Sequence, residues 1–539
     1  MHKSAIVLIC LVRTSYERRV HLHSSPLAES QKSVRSAEDS PSLANLLLAF
    51  NSAAAFHPSA PGARLQKRSP TLPDLPLGRH EPVRAAAVAT VEKEEKEATT
   101  IFDKEAVPVA ENEEKEVFVK PGQKEKEQFK CDPTCKYWEE YRQGSTPTPL
   151  EDVQKAAAIV AKYFPSGGTA AADYWAKHAA RTSYFLANAV AGTLSFRFFG
   201  ERPPGSDGGG LANSSISELG SLATRLLLES VLTYEQDWQR ISKGVYKQPW
   251  DMTLGHRQYE LPYMLDKSAR FVKEAVGTLE RRSRAQPEDR QIWLGSSNSM
   301  YPDYYKTNYH YQTDGWMSAD SAAVYETSTE TLFLGRQDAM QRLSLIPLQG
   351  LKGEGGRPLK ILEVACGTGR FATFIRDNHP DAEVTCVDLS PYYLEAAREN
   401  DEYWRQFKSR NGGEVYPPAT FVQAAAENLP FEAESFDAVV CVYLFHEMPE
   451  GPRAAAAAEM ARVVKPGGVV VLTDSQQLGD RPASDPYIAN FEKLNEPHYP
   501  NYIKTNIGDL YTEHGLECAE KHMASASKML SFTKPKSEP

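Results

Sequence analysis

Residues 361–372, ILEVACGTGRFA, carry the clearest fold signal in this chain. An apolar run typical of a strand ends at Val364, a glycine-rich turn follows, and a helical pattern begins at Arg370. Glycines in such a turn let a ligand approach the backbone, and the amides at the start of the helix are free to bind it. The turn fits the GxGxxG/A spacing of a dinucleotide-binding loop, which several ligands share, so the neighbouring residues must identify the ligand.

Beyond this turn, short apolar runs of strand type alternate with helical stretches. This alternation builds a mainly parallel sheet with helices on both faces, and ligands bind beyond the carboxyl ends of its strands. We therefore predict an α/β fold, a Rossmann-like doubly wound sheet with a C-terminal antiparallel hairpin, preceded by a mostly α-helical domain. The predicted strands are 359–364, 383–388, 420–424, 436–443 and 469–474, with hairpin strands 516–522 and 528–532; the predicted helices of this half are 370–378, 392–407, 453–464 and 507–515.

Two acidic residues near the turn bear on the ligand. Glu363 lies four residues before Gly367, where a pyrophosphate would lie, and its carboxylate would repel a phosphate but attract an ammonium group. Asp388 ends the next predicted strand and is placed to accept hydrogen bonds from ribose hydroxyls, which NAD and S-adenosylmethionine share. S-adenosylmethionine has an α-ammonium and a sulfonium and no phosphate, so Glu363 favours it over a dinucleotide.

Five short motifs follow one another in this half of the chain: EVACGTG at 363–369, VDLS at 387–390, AENLPF at 426–431, SFDAVV at 435–440 and VVKPGG at 463–468. With these motifs the chain resembles the class I S-adenosylmethionine-dependent methyltransferases, and among them the ubiquinone and menaquinone C-methyltransferase branch. The resemblance covers about residues 359–535. A looser similarity, through YHYQTDGW and SADSAAVYE within 309–326, is to uncharacterised plastid-type methyltransferases of plants and algae.

The resemblance implies S-adenosyl-L-methionine as the cofactor and assigns its contacts. The methionine part would lie against Glu363 and the turn, the ribose against Asp388, and the adenine against the AENLPF motif. The chain has Ala365 where the family usually has Gly, which is tolerable if φ there is negative. It also has Ala425 where an Asp often meets the adenine amino group. The implied cofactor-binding residues are Glu363, Ala365, Gly367, Gly369, Asp388, Leu389, Ala426 and Glu427.

The loop after the fourth predicted strand is the expected place for the chemistry, since methyl transfer needs a positioned nucleophile and removal of its proton. His446 and Glu447 in this loop are the candidate catalytic residues, with the imidazole as a base that the carboxylate orients, or with the carboxylate as the base. A helix cap or packing role is the alternative for this pair. The Asn/Asp-Pro-Pro-Tyr motif of many amino-directed methyltransferases is absent here. The second candidates are His310, Tyr311 and Asp314.

Those second candidates belong to an aromatic segment, 301–316, YPDYYKTNYHYQTDGW, with five tyrosines, one histidine and one tryptophan. Such a segment supplies apolar surface with polar tips, so it is expected either to line the pocket of an organic substrate or to pack between two domains. The predicted acceptor is a small, apolar organic molecule, such as a quinone, lipid or pigment intermediate, methylated on C or O. The alternatives are a noncatalytic assembly or regulatory protein with the same fold and an NAD-dependent oxidoreductase.

Four regions are predicted along the chain. Residues 1–90 hold eleven Lys and Arg against six Asp and Glu, with two short apolar runs and an AAAF segment at 53–56, and read as a disordered targeting presequence. They resemble the bipartite transit peptides of algal plastids, which indicates a plastid, with cytoplasm or mitochondrion as alternatives. Residues 91–130 are predicted to be a charged linker, 131–345 a helical domain that covers the substrate, and 346–539 the cofactor-binding domain.

Charge and cysteine content exclude several partners. The net charge of −10 argues against nucleic-acid binding, and no apolar run is long enough to span a membrane, which leaves peripheral membrane contact open. The close pair Cys131 and Cys135 has no second pair or nearby histidine at ligand spacing, so no metal site is predicted. The expected partner is a small-molecule substrate, and nothing in the pattern specifies an oligomeric state.

Overall fold

The computed structural model describes residues 118–144, 147–200, 216–284, 300–412, 415–488 and 490–536, all within one compact unit. The predicted targeting presequence 1–90 and the linker residues 91–117 lie outside this described part. Among the described helices, none has both the length and the apolar character needed to cross a membrane.

One mixed sheet of eight strands forms the centre of the molecule. Its order is β1-β7-β8-β6-β5-β2-β3-β4, and only β8 runs antiparallel to its neighbours. This confirms the predicted α/β fold and places the terminal hairpin, β7 with β8, next to the parallel strands. The strands are β1 Lys130–Cys131, β2 Lys360–Val364, β3 Glu383–Asp388, β4 Thr420–Gln423, β5 Phe436–Val442, β6 Val464–Ser475, β7 Glu517–Ala524 and β8 Ser527–Thr533.

Helices cover the sheet and form the region that precedes it. The longest helices lie between residues 149 and 283, as the three- and four-residue spacing of apolar side chains predicted. The helices are α1 Pro121–Gln128, α2 Pro133–Glu140, α3 Pro149–Ser166, α4 Gly168–Phe199, α5 Ile216–Ser242, α6 Leu261–Ser283, α7 Ala319–Leu332, α8 Gln337–Gln341, α9 Arg370–Asn378, α10 Pro391–Gly412, α11 Glu450–Val463, α12 Asp485–Ile488, α13 Tyr499–Tyr502 and α14 Ile507–Thr512.

The central strand β2 sets the position of the site. It pairs with β3 on one side and with β5 on the other, both in parallel, so the carboxyl ends of the three strands meet at one edge. Ile361, Leu362 and Val364 are fully buried because helices cover both faces of the sheet. The loops that follow β2, β3 and β5 therefore open into the same crevice.

Residues 118–130 are folded onto the sheet and do not form a solvated linker. β1 pairs in parallel with β7 at the sheet edge, and Glu125 of α1 is completely buried. Its two carboxylate oxygens lie 2.6 Å from Lys528 Nζ and 2.7 Å from Lys521 Nζ. The charged composition of this stretch predicted solvent exposure because it carries no sign that one carboxylate pairs with two lysines near the end of the chain. The other predicted domain boundaries stay predictions.

Candidate active site

The turn after β2 is held by the carboxylate of Asp388 at the end of β3. Gly367 N donates to Asp388 Oδ2 at 2.8 Å, and Ser390 N donates to Asp388 Oδ1 at 2.8 Å. Cys366 N donates to the backbone oxygen of Val387 at 2.9 Å. The predicted ribose-binding carboxylate therefore also fixes the glycine-rich turn relative to the neighbouring strand.

Backbone conformation corrects one expectation for this turn. Ala365 has a φ of 56°, so the condition of a negative φ, under which an alanine would be tolerated easily, is not met. Gly367 and Gly369 have φ values of 54° and 72°. A Cβ on Gly369 would lie 2.9 Å from the Cβ of Ala397, so glycine also permits α9 and α10 to approach. The sequence shows an alanine but not the dihedral angle that the turn imposes on it.

Two buried carboxyl groups face this turn. Glu363 is 2% exposed, and its burial, reinforced by the charge of Asp388, raises its pKa to about 8. Burial raises the pKa of Asp388 to about 6, against the backbone hydrogen bonds that it accepts. A cationic ligand would stabilise the ionised forms of both. The set of donors and acceptors therefore fits an ammonium-bearing ligand and disfavours a pyrophosphate.

A cavity of about 220 Å³ opens beyond the ends of β2, β3 and β5. Ala365, Gly367, Asp388, Leu389 and Ala426, five of the residues that the resemblance assigned to the cofactor, line it. Glu427 does not, because its carboxylate accepts a hydrogen bond from Tyr304 Oη at 2.9 Å. Of the predicted cofactor residues, Glu363 and Gly369 also lie outside this lining, although Glu363 lines a second cavity on the other side of the turn.

The aromatic segment forms one wall of the same cavity. Tyr304, Tyr305 and Trp316 line it, with the rings of Tyr305 and Trp316 5.1 Å apart. Phe491 also lines it and stacks on Tyr499, with the ring centroids 4.7 Å apart. The lining therefore combines the polar groups of Asp388 and the turn with aromatic rings, and Ser390, two residues after Asp388, donates a hydrogen bond to the backbone oxygen of Trp316. Phe491 and Tyr499 carry no motif in the sequence that would have identified them.

His446 also lines the cavity, and the carboxylate of Asp474 fixes its imidazole. His446 Nδ1 lies 2.5 Å from Asp474 Oδ1, while Asp474 Oδ2 accepts a hydrogen bond from Phe445 N at 2.8 Å. Although burial opposes it, the charge of the Asp474 carboxylate raises the pKa of His446 to about 9. Before a ligand binds, the imidazole is therefore protonated at neutral pH, which makes it a hydrogen-bond donor and a positive charge rather than a base.

Glu447 and His310 complete this part of the cavity. Glu447 Oε1 lies 3.6 Å from His446 Nε2 and 3.3 Å from His310 Nε2. Glu447 therefore lies close to His446, the other predicted catalytic residue, and to His310, one of the second candidates. All three residues line the cavity. Tyr311 and Asp314, the other second candidates, are not among the lining residues.

The helical region reaches the turn through Glu326 on α7. Glu326 Oε1 accepts hydrogen bonds from Thr368 Oγ1 at 2.8 Å and from Asn400 Nδ2 at 2.9 Å. The second cavity, of about 200 Å³, lies on this side of the turn and is lined by charged residues that include Arg181 and Arg370. Glu326 is the last residue of the SADSAAVYE stretch that carried the looser resemblance, but its local sequence indicates no role.

Known proteins match the part of the chain that builds this site. A family model described as a methyltransferase domain matches residues 361–468. An O-methyltransferase of Pyrenophora dematioidea is 31% identical over 36% of this chain and 67% of its own length. The ubiquinone/menaquinone biosynthesis C-methyltransferase of Haemophilus ducreyi is 33% identical over 32% of this chain and 61% of its own length. An uncharacterized methyltransferase of Synechocystis is 29% identical over 35% of this chain and 80% of its own length.

The order of the sheet strands, the glycine-rich turn after β2 and the matched methyltransferase domain all indicate the same class of enzyme. The relatives' similarity extends over about a third of this chain, so it supports the class of enzyme and leaves the acceptor to be argued from the cavity. The chain belongs to the class I S-adenosylmethionine-dependent methyltransferases.

Proposed function

We propose that this methyltransferase methylates a small, apolar organic acceptor, such as a quinone, lipid or pigment intermediate, on carbon or oxygen. The observation that carries this proposal is a cavity whose lining combines polar groups with aromatic rings. Asp388 and the glycine-rich turn line it together with His446 and the aromatic side chains Tyr304, Tyr305, Trp316, Phe491 and Tyr499. Apolar walls with a few placed polar groups are typical of sites for organic ligands.

The part of the cavity around Asp388 and the glycine-rich turn would hold S-adenosylmethionine. Glu363 and the turn from Ala365 to Gly369 would contact its methionine part, Asp388 its ribose, and Leu389 with Ala426 its adenine. Bound S-adenosylmethionine supplies an electrophilic methyl group on a sulfonium. The residues of this chain hold the two reactants in line and exclude water, which accounts for most of what a methyltransferase needs to do.

The groups around His446 would prepare the acceptor. A protonated imidazole at this position stabilises negative charge on an acceptor oxygen, and Glu447 is placed to accept the proton that leaves it. Asp474 orients the imidazole through Nδ1 and leaves Nε2 for the acceptor. For methylation on carbon, the loss of a ring-hydroxyl proton to Glu447, which the positive charge of His446 favours, would raise the electron density of the ring position that attacks the methyl group.

The similarity to a named quinone-pathway enzyme supports an apolar acceptor. The relative from Haemophilus ducreyi is named as a C-methyltransferase of ubiquinone and menaquinone biosynthesis. Quinones are apolar, planar molecules, which suits walls built from Tyr305, Trp316 and Phe491. Within the described part of the chain no helix crosses a membrane, so such an acceptor would reach the protein by peripheral contact with a membrane.

Methyl transfer to extracted small molecules tests the proposal. Full-length protein is incubated with methyl-labelled S-adenosylmethionine and with the organic-soluble and water-soluble fractions of source cells, separately. We expect label in one organic-soluble species, and much less label with the Glu363→Gln variant. Label that enters only water-soluble compounds or polypeptide would refute an apolar acceptor. In cells that lack the protein, the unmethylated precursor of that species should accumulate.

We also propose that residues 1–90 direct the protein to an algal plastid. The support is their basic, Ser-rich composition and the AAAF segment, and these residues lie outside the described part of the structure. A fluorescent protein fused behind residues 1–90 should enter the plastid. The same fusion with Phe56→Ala should be retained outside it, and cytoplasmic or mitochondrial fluorescence of the unchanged fusion would contradict the proposal.

A further inference from the structure

The imidazole of His310 lies between the carboxylates of Glu447 and Glu496 in the lining of the cavity, which also includes Phe491 and Tyr499. His310 Nε2 lies 3.3 Å from Glu447 Oε1, and His310 Nδ1 lies 2.9 Å from Glu496 Oε1. One ligand-capable atom from each residue lies within 4.8 Å of the others, and all three residues line the cavity. Two carboxylates and one imidazole thus lie close together where a small molecule in the cavity can reach them.

The two carboxylates are buried, and imidazole rings are the ionisable groups that lie closest to them. Glu496 is 1% exposed and Glu447 is 7% exposed. Within the described part of the chain, Glu496 Oε2 and Glu447 Oε2 have no hydrogen-bond partner, and the approach of His310 Nδ1 to Glu496 Oε1 has the distance but not the angle of a hydrogen bond. Burial of carboxylate oxygens without donors is costly, by several kcal/mol on an order-of-magnitude scale. Such groups are usually satisfied by a cation or a ligand.

The protein holds His310 in this position against the preference of its backbone. His310 and Tyr311 have φ values of 57° and 59°, which non-glycine residues rarely adopt. Hydrogen bonds fix the segment to the other two parts of the cluster: Tyr309 Oη donates to Glu447 O at 2.8 Å, and Asn495 Nδ2 donates to Asn308 O at 2.8 Å. Strain that the surroundings enforce is characteristic of functional sites.

We propose that His310, Glu447 and Glu496 bind a divalent transition-metal ion in the lining of the cavity. One ring nitrogen and two carboxylate oxygens are ligands that Zn²⁺ and Mn²⁺ accept, at distances of about 2.0–2.2 Å. Two ligands of one tetrahedral ion then lie roughly 3.4 Å apart, close to the separation of His310 Nε2 and Glu447 Oε1 at 3.3 Å. The side chain of His310 is 29% exposed and lines the cavity, which leaves room for a further ligand.

An ion here would offer an open coordination position to an oxygen of the acceptor and favour its deprotonated form. This use rests on the proposed function, whereas the binding of the ion does not. No metal was predicted here because the three residues come from three distant segments without ligand spacing. The close pair Cys131 and Cys135, for which no metal site was predicted either, lies on the edge strand β1 and on the helix that follows it.

Direct metal binding tests the proposal without any methyl acceptor. Full-length protein is freed of metal with a chelator and titrated with Zn²⁺ by calorimetry and with Mn²⁺ by electron paramagnetic resonance. We expect one ion per chain, with affinity at least about tenfold lower in Glu496→Gln and in His310→Ala. Glu492→Gln, an exposed carboxylate four residues before Glu496, is the matched control and should bind as the unchanged protein does.

X-ray absorption on the Zn²⁺-loaded unchanged protein gives a readout that needs no variant. We expect a coordination shell of nitrogen and oxygen only. No binding by the unchanged protein would overturn the proposal and leave His310 as a charged partner of two carboxylates. Sulfur in the shell, or equal binding by folded Glu496→Gln and His310→Ala variants, would also overturn it, because the ion would then lie elsewhere. Loss of methyl transfer with intact metal binding would count against the proposed function alone.

Discussion

Ala365 and Tyr443, the residues that follow the paired strands β2 and β5, both have a φ of 56°. Both also line the cavity on each side of the glycine-rich turn. The left-handed conformation costs a non-glycine residue about 1–2 kcal/mol. Both residues follow central strands and line the cavity, so the protein tolerates backbone strain at the proposed cofactor site.

Ala365→Gly should relieve part of this strain. We expect the free energy of unfolding to rise by up to about 1 kcal/mol, because the gain in the folded backbone exceeds the added flexibility of the unfolded chain. Chemical denaturation measures the change. Ala372→Gly, the same substitution within helix α9, is the control and should lower stability by about 1 kcal/mol or more. Equal losses in the two variants would show that the positive φ of Ala365 carries no strain.

Affinity for S-adenosylmethionine should depend on pH through Glu363. Its pKa of about 8 without ligand means that the carboxyl is mostly protonated at neutral pH, whereas an ammonium favours the carboxylate. Binding therefore releases a proton, and affinity should fall as pH falls. The slope should approach tenfold per unit between about pH 7.5 and about pH 6, where the ammonium of the ligand keeps its charge. Calorimetry over this range measures it.

Glu363→Gln separates this effect from other titrating groups. The variant should bind more weakly at about pH 7.5 and show a much flatter pH dependence, because no proton is released at that position. Without ligand, the raised pKa also makes the unchanged protein lose stability as pH rises from 4.5 towards 8, since the unfolded chain gives up the proton earlier. The glutamine variant lacks that loss. A pH-independent affinity of the unchanged protein would contradict this account.

Glu326 should support cofactor binding from the helical region. Its Oε1 accepts hydrogen bonds from Thr368 and Asn400, so Glu326→Ala leaves the turn less well fixed. We expect affinity for S-adenosylmethionine to fall about tenfold, since hydrogen bonds to a charged group contribute about 1.5–3 kcal/mol each and only part of that is felt by the ligand. Glu326→Gln keeps an acceptor oxygen and should stay within about threefold of the unchanged protein. Identical affinities for Glu326→Ala and the unchanged protein would argue against the role.

Glu125 should contribute strongly to stability. Removing its charge leaves Lys521 and Lys528, both almost fully buried, with Asp480 as their remaining anionic partner. Glu125→Gln should therefore lower the free energy of unfolding by about 3–5 kcal/mol, as for other broken buried ion pairs. Glu127→Gln, an exposed neighbour on the same helix, should change it by less than about 0.5 kcal/mol. Comparable small effects in both variants would mean that the buried pairs are not required.

Local patterns were sufficient to predict the sheet. The motif at 363–369, the alternation of strands with helices and the terminal hairpin each depend on residues close together in sequence, so strand β3 was predicted with its observed bounds. Strand β6 begins at Val464 rather than 469, because Val464 already pairs with Phe436 of β5, and the KPGG stretch lies at a register shift before the next pair, Ala438 with Val469.

Long-range contacts account for what the sequence did not reveal about the site. His446 and Glu447 were found from their place after β5, but Glu496 has no motif and reaches His310 only in the folded chain. Glu427 was expected at the adenine, which stays a prediction, and the hydrogen bond that it accepts from Tyr304 could not be read from the sequence. The backbone conformation of the turn could not be predicted either, because nothing in the sequence indicates that Ala365 has a positive φ.

The attachment of residues 118–131 to the sheet restricts where the chain can be shortened. Gly122 N donates to Leu478 O at 3.0 Å, and Lys120 Nζ lies 2.9 Å from Asp485 Oδ2. If the proposed presequence is removed, a cut upstream of residue 118 keeps these contacts. A cut within the segment would release β1 and take Glu125 away from its lysines. A form that keeps these contacts must therefore begin upstream of residue 120, and an expressed form that starts at residue 131 would lack part of its own fold.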